Sequence, residues 1–162
     1  MAVAGILVSP EDTFFAESGF SDSLVIDNNI ISQVGFTVSN PAQNRAGGIL
    51  ISSDFGDTSR GHSNIEITNN VLRQVSGINL AVTNAVGVDV SNNQFIEAQP
   101  LARTHGSGLG LDAGTLVLLD NVTDVTFRAN AITDLGVGNN RLILSSSTAS
   151  NIVGARAGLQ IT

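Results

Sequence analysis

"IEITNN" at residues 65–70 and "VDVSNN" at residues 88–93 are nearly the same phrase, 23 residues apart. Each alternates apolar and polar residues and closes on two asparagines. The phrase occurs twice more, as "LVIDNN" (24–29) and "VTFRAN" (125–130). Its first and third positions are always apolar: Leu24/Ile26, Ile65/Ile67, Val88/Val90 and Val125/Phe127. The residues between them vary: Val25, Glu66, Asp89 and Thr126. A period of two predicts a short strand with one buried face. The second asparagine is kept every time, as Asn29, Asn70, Asn93 and Asn130, while the first drifts to Ala129. A second apolar pair then follows: Ile31/Val34, Leu72/Val75, Phe95/Ala98 and Ile132/Leu135.

A third strand belongs to the same unit. "GILVS" starts at Gly5, "GILIS" at Gly48 and "GINLA" at Gly77, with looser copies at Gly114 and Gly158 and a glycine-free one, "RLILS", at Arg141. Each unit thus reads strand, turn, strand, asparagine turn, strand, turn. Three short strands in roughly 20–25 residues, without a helical stretch, predict an all-β solenoid whose strands pair with their copies above and below. Stacked asparagines then hydrogen-bond as a ladder, and a buried amide without partners costs roughly 1–3 kcal/mol. The asparagine turn also suits a residue that tolerates positive φ.

The stretches "NIEITNNVLRQVSGINL", "VDVSNNQFIEA" and "VTFRANAITDLG" resemble the right-handed parallel β-helix of the pectate lyase-like superfamily. The expected fold is therefore a single-stranded right-handed parallel β-helix of about four to five coils, with an asparagine ladder (Asn29, Asn70, Asn93, Asn130) and long loop insertions. It fills residues 1–162 as one domain. The resemblance implies polysaccharide lyases, glycoside hydrolases, epimerases, tailspikes or adhesins, and an extracellular or cell-surface setting. The chain opens and closes on Gly-led strands without a polar cap, so it reads as a segment of a longer protein whose coil ends meet the rest of that chain or another copy.

Composition excludes several classes. All seven cations are arginine, and 14 carboxylates bring the net charge to −7. Nucleic-acid binding needs clustered cations, so it is not expected. Without cysteine there is no disulfide framework and no thiolate zinc site. No apolar run is long enough for a transmembrane helix.

Loop lengths point to where function would sit. The turn after the Gly-led strand is long at 9–23 and 52–63, and the turn before it is long at 35–46 and 99–113. Long loops on a rigid scaffold commonly carry binding and catalysis. Alternation from each glycine places Ile6, Val8, Ile49, Ile51, Ile78 and Leu80 inward. It places Leu7, Leu50, Asn79, Val117 and Gln160 outward, on the floor between these loops.

That row lacks acids and aromatics, so candidate chemistry falls to the loops. "SDFGDTSRGHS" holds Asp54, Asp57, Arg60 and His62; "LARTHGSGLGLD" holds Arg103, His105 and Asp112. Asp120 ends the "LVLLD" strand on the same edge as the first. Histidine and carboxylates suit general acid–base roles. Arg60, Arg103 and Asn79 would hold an acidic or neutral polysaccharide. Asp54 and Asp57 also suit Ca²⁺ with loop carbonyls, though no other cofactor or metal is indicated. Two functions fit: a carbohydrate-active or carbohydrate-binding domain, of glycoside hydrolase-like or lyase-like type, or a non-catalytic structural or adhesive segment of a larger assembly protein.

Overall fold

A computed structural model describes residues 3–10, 19–35, 46–52, 61–100, 114–139, 141–145, 150–154 and 159–161. Among them the chain forms strands and no helix. In order they are β1 (Val3–Val8), β2 (Val25–Asp27), β3 (Ile30–Ser32), β4 (Ala46–Ile51), β5 (His62–Thr68), β6 (Val71–Arg73) and β7 (Ile78–Ser91). There follow β8 (Gln94–Ile96), β9 (Thr115–Arg128), β10 (Asn130–Thr133), β11 (Arg141–Ser145), β12 (Ser150–Val153) and β13 (Leu159–Ile161).

The all-β expectation holds, but the β-helix does not. The described strands make two parallel multi-stranded sheets, one of eight strands and one of five, rather than a solenoid of three-strand coils. The larger contains β1, β4, β7, β5 and β2 in that order, with β9 beside β7 and with β11 and β12 beside β9. The smaller runs β13, β10, β8, β6, β3. The misreading lies in the Gly-led strand and the hexamer, taken as two strands parted by a turn. In β7 and in β9 they are one strand of 14 residues. Left-handed residues bend these strands without ending them: Asn84 (φ 55°) and Gly87 (φ 71°) in β7, Asn121 (φ 49°) and Asp124 (φ 55°) in β9. The β7–β9 register passes over these positions and continues on the far side.

Copies of each motif meet at matching positions. Ile26, Ile67, Val90 and Phe127 are aligned through β2, β5, β7 and β9. Ile31, Leu72, Phe95 and Ile132 are aligned through β3, β6, β8 and β10. All eight are buried in one apolar cluster. Burying a side chain of this size contributes roughly 1.5–3 kcal/mol, so these rows carry much of the fold.

The two asparagines of the hexamer divide their work. The first position holds the left-handed backbone: Asn28, Asn69, Asn92 and Ala129 have φ of 56°, 55°, 57° and 53°. The second turns its amide inward. Positive φ was expected of the second, and that is corrected.

The Gly-led row also differs in part. Leu7, Leu50, Ala81 and Leu118 are aligned across β1, β4, β7 and β9. Leu50, Ala81 and Leu118 are buried with Ile78 in a second, smaller apolar cluster. Leu118, not Val117, therefore continues this row, and Val117 packs in the main core. Ile78, expected inward, lies with the smaller cluster because the β4–β7 register passes over Gly48 and Asn79, which breaks the alternation. Glycine is required at 48: a Cβ there would lie 2.4 Å from the Asn79 carbonyl oxygen and 2.5 Å from Leu72 Cδ2.

Candidate functional site

Four amides form the innermost polar feature. Asn29 Nδ2 donates to Asn70 Oδ1 at 2.9 Å, Asn70 Nδ2 to Asn93 Oδ1 at 3.0 Å, and Asn93 Nδ2 to Asn130 Oδ1 at 2.9 Å. The backbone N–H groups of Asn29, Asn70 and Asn93 donate to the same acceptors. Each Nδ2 also reaches a carbonyl, such as Ile26 O for Asn70 and Val90 O for Asn130. Asn70, Asn93 and Asn130 are buried. These amides are occupied by structure.

The described histidine is occupied in the same way. His62 opens β5 instead of lying on a loop, and it is fully buried. Ser21 N–H donates to its Nδ1 at 3.2 Å. That leaves Nε2 to carry the proton, which it donates to Ser52 O at 3.2 Å. Phe20 packs edge-on against the ring with centroids 5.1 Å apart. The ring is enclosed within the fold, which corrects the expectation that His62 lies on a loop.

Asn79, expected on an outward floor, is buried, and its Nδ2 donates to Val75 O and Gly77 O. Asp120 is half-buried inside β9, where its Cα partner is Thr83, and does not end a strand. Asp54, Asp57, Arg60, Arg103, His105 and Asp112 lie outside the described residues. Among the described residues no group of three or more His, Cys, Asp or Glu is placed to hold a metal ion, and no helix is long and apolar enough to cross a membrane.

The outer face of the larger sheet carries carboxylates that the loop-centred reading passed over. Glu66, Asp89 and Thr126 are register partners on β5, β7 and β9. With Asn64, Ile65, Gly87, Val88 and Asp124 they line an open groove of about 280 Å³. Arg128 donates to Asp89 Oδ2 at 2.8 Å, which raises the Arg128 pKa, and Asp89 Oδ1 has no hydrogen-bond partner. The signal for this face was in the sequence: these are the polar alternates of the hexamer.

Further polar pairs tie neighbouring strands. Ser63 Oγ and Asn64 Nδ2 donate to Asp22 Oδ1 at 2.6 and 2.9 Å. Thr68 Oγ1 and Asn69 Nδ2 each donate to Asp27 Oδ1 at 2.7 Å. These donors hold both carboxyls below the ordinary aspartate range, Ser63 contributing most at Asp22 and Thr68 at Asp27. Gln33 Nε2 donates to Gln74 Oε1, and Gln74 in turn to Glu97.

No family model, curated protein or solved structure matches the chain.

The geometry thus brings together a sheet-stabilising set of amides, hydroxyls and carboxylates. Of the residues chosen for chemistry only His62, Asn79 and Asp120 are among those described, and these three are set in strands of the larger sheet.

Proposed function

We propose that the protein is a structural β-sheet module of a surface or assembly protein, whose partners meet it along its sheet edges. The supporting observation is the row from Asn29 through Asn70 and Asn93 to Asn130, in which the most regularly repeated polar group of the chain hydrogen-bonds to its own copies. A catalytic scaffold needs at least one placed acid or base beside substrate. Here the described histidine has both ring nitrogens held by backbone groups. The test is a screen of neutral and acidic polysaccharides for released reducing ends or unsaturated uronates. No turnover is expected. Turnover that Asp89→Asn or His62→Ala abolishes while the protein stays folded would overturn the reading.

A second reading is glycan binding, and the groove beside Asp89 favours it. Glu66 and Asp124 supply acceptors, and Asn64 and Thr126 supply donors, as sugar hydroxyls require. Glycan-array binding weakened by Glu66→Gln and by Asp124→Asn would support it; an array without signal would remove it.

A further inference from the structure

Exposed apolar residues are not scattered evenly over this molecule. Among the described residues, the large ones are Leu7 (41% exposed), Val25 (58%), Ile30 (80%), Val137 (83%) and Val153 (67%). Leu7, Val25 and Ile30 lie on β1, β2 and β3, and Val153 lies on β12. Those are edge strands. Among the described strands β1 pairs with β4 alone, β2 with β5, β3 with β6 and β12 with β9. One outward row shows the pattern directly. It reads Val25, Glu66, Asp89, Thr126, Val153 across the larger sheet, polar within and apolar at both edges.

An edge strand offers unpaired N–H and C=O groups, which invite another strand. Natural edges are commonly blunted with charge on the outward face. Here that row ends on valine at both edges; β2 also carries the exposed Asp27, and β12 carries no charge.

We propose that a second copy of this chain docks head to tail, β12 of one copy beside β2 of the next, so that Val153 of the first covers Val25 of the second. The proposal rests on the structural reading above and names the partner and the edges. Three features select this occupant. The strands already stack in parallel with one register, so β12 presents to a newcomer the same pattern that inner strands present to their neighbours. The column Asp22, Ser63, Val86, Thr123, Ser150 would continue with Asp22 of the second copy over Ser150. Ser150 Oγ already donates to Thr123 Oγ1, whereas Asn151 Nδ2 uses one hydrogen on Asp124 and keeps another, so a neutral surface with one amide hydrogen meets the aspartate. Back-to-back pairing of two β2 edges would instead crowd Asp22 and Asp27 of both copies, and like charges oppose that arrangement. A heterologous contact of this kind does not close on itself, so assembly continues beyond the dimer.

Sedimentation velocity of the full chain over a range of concentrations tests this, at an ionic strength that screens the charge of −7. The weight-average mass is expected to rise past the dimer. Val25→Asp and Val153→Asp should each shift it to monomer while far-ultraviolet circular dichroism stays unchanged; Val25→Thr and Val153→Thr, which keep strand propensity, should act in the same direction. Mixed in equal amounts, Val25→Asp and Val153→Asp retain one intact edge each and should form a dimer and nothing larger. A wild type that stays monomeric overturns the docking, as does a Val25→Asp protein that still dimerises alone or a mixture that stays monomeric. None of these results touches the structural reading, which stands or falls on polysaccharide turnover.

Discussion

Asn70 and Asn93 lie 23 residues apart in the chain and share a buried amide–amide hydrogen bond of 3.0 Å. Asn70 Oδ1 accepts from both the backbone and the side chain of Asn29, and its Nδ2 also reaches Ile26 O. Asn70→Ala removes a donor to Ile26 O and to Asn93 Oδ1 and takes away the acceptor of the Asn29 amide, at a cost of roughly 1–3 kcal/mol. Asn29 is half-buried at the end of the row, where water replaces lost partners, so Asn29→Ala should cost less. Denaturant midpoints compare the two. Equal losses, or none at Asn70, would mean that the amides are not buried in one row.

His62 has its tautomer set by Ser21 N–H, which requires a lone pair on Nδ1. The proton therefore sits on Nε2, facing Ser52 O. Long-range proton–nitrogen NMR correlations should show the Nε2–H pattern for this histidine. His62→Ala removes a fully buried ring together with the acceptor of the Ser21 N–H, and should destabilise by roughly 1–3 kcal/mol for that lost hydrogen bond alone. An Nδ1–H pattern would refute the hydrogen-bond assignment.

What could be read from the sequence follows from how much each signal depends on neighbours. The period-two alternation of "IEITNN" and "VDVSNN" is local, and the burial of Ile65, Ile67, Val88 and Val90 follows from it. The break between the Gly-led strand and the hexamer is not local. Whether "TNAVG" ends a strand depends on whether Asn84 and Gly87 can turn left-handed while β9 stays paired alongside. The side on which Ile78 packs likewise depends on the skipped pairing at Gly48 and Asn79. For the site, histidine chemistry drew the reading to loops, and nothing in "RGHSN" shows that His62 is enclosed by Ser21, Ser52 and Phe20. The outward Glu66 and Asp89 were visible as the variable places of the repeat, but their meaning required the register that aligns them.

Asp22 and Asp27 have pKa values lowered by donors on the neighbouring strand. A carboxyl whose folded pKa lies below its unfolded value stabilises the folded form in its ionised state. That contribution is complete above the ordinary aspartate value of 3.8 and is lost as pH falls through the lowered folded values. Thermal midpoints should therefore decline as the protein is acidified below about pH 4. Asp27→Asn, which cannot ionise, should flatten part of that decline. An unchanged acid profile in the double variant Asp22→Asn/Asp27→Asn would place the acid sensitivity elsewhere.

Ala129 occupies the place that Asn28, Asn69 and Asn92 fill at the other corners, with φ of 53°. The left-handed region costs an ordinary L-residue roughly 1–2 kcal/mol, because Cβ crowds the following carbonyl oxygen. Glycine lacks that clash but has more unfolded freedom to lose, roughly 0.5–1 kcal/mol. Ala129→Gly should thus stabilise by up to about 1 kcal/mol. Ala129→Asn should also stabilise, since asparagine tolerates this backbone region and its side chain can bond locally. The site is exposed, so neither change disturbs packing. Ala131, two residues on in β10, is the internal control: its φ is not positive, and Ala131→Gly should destabilise by roughly 0.5–1 kcal/mol. Opposite signs at 129 and 131 in chemical denaturation are the expected result. A loss at both would mean that residue 129 does not hold the left-handed corner, and the division of work between the two asparagine positions would have to be reassigned.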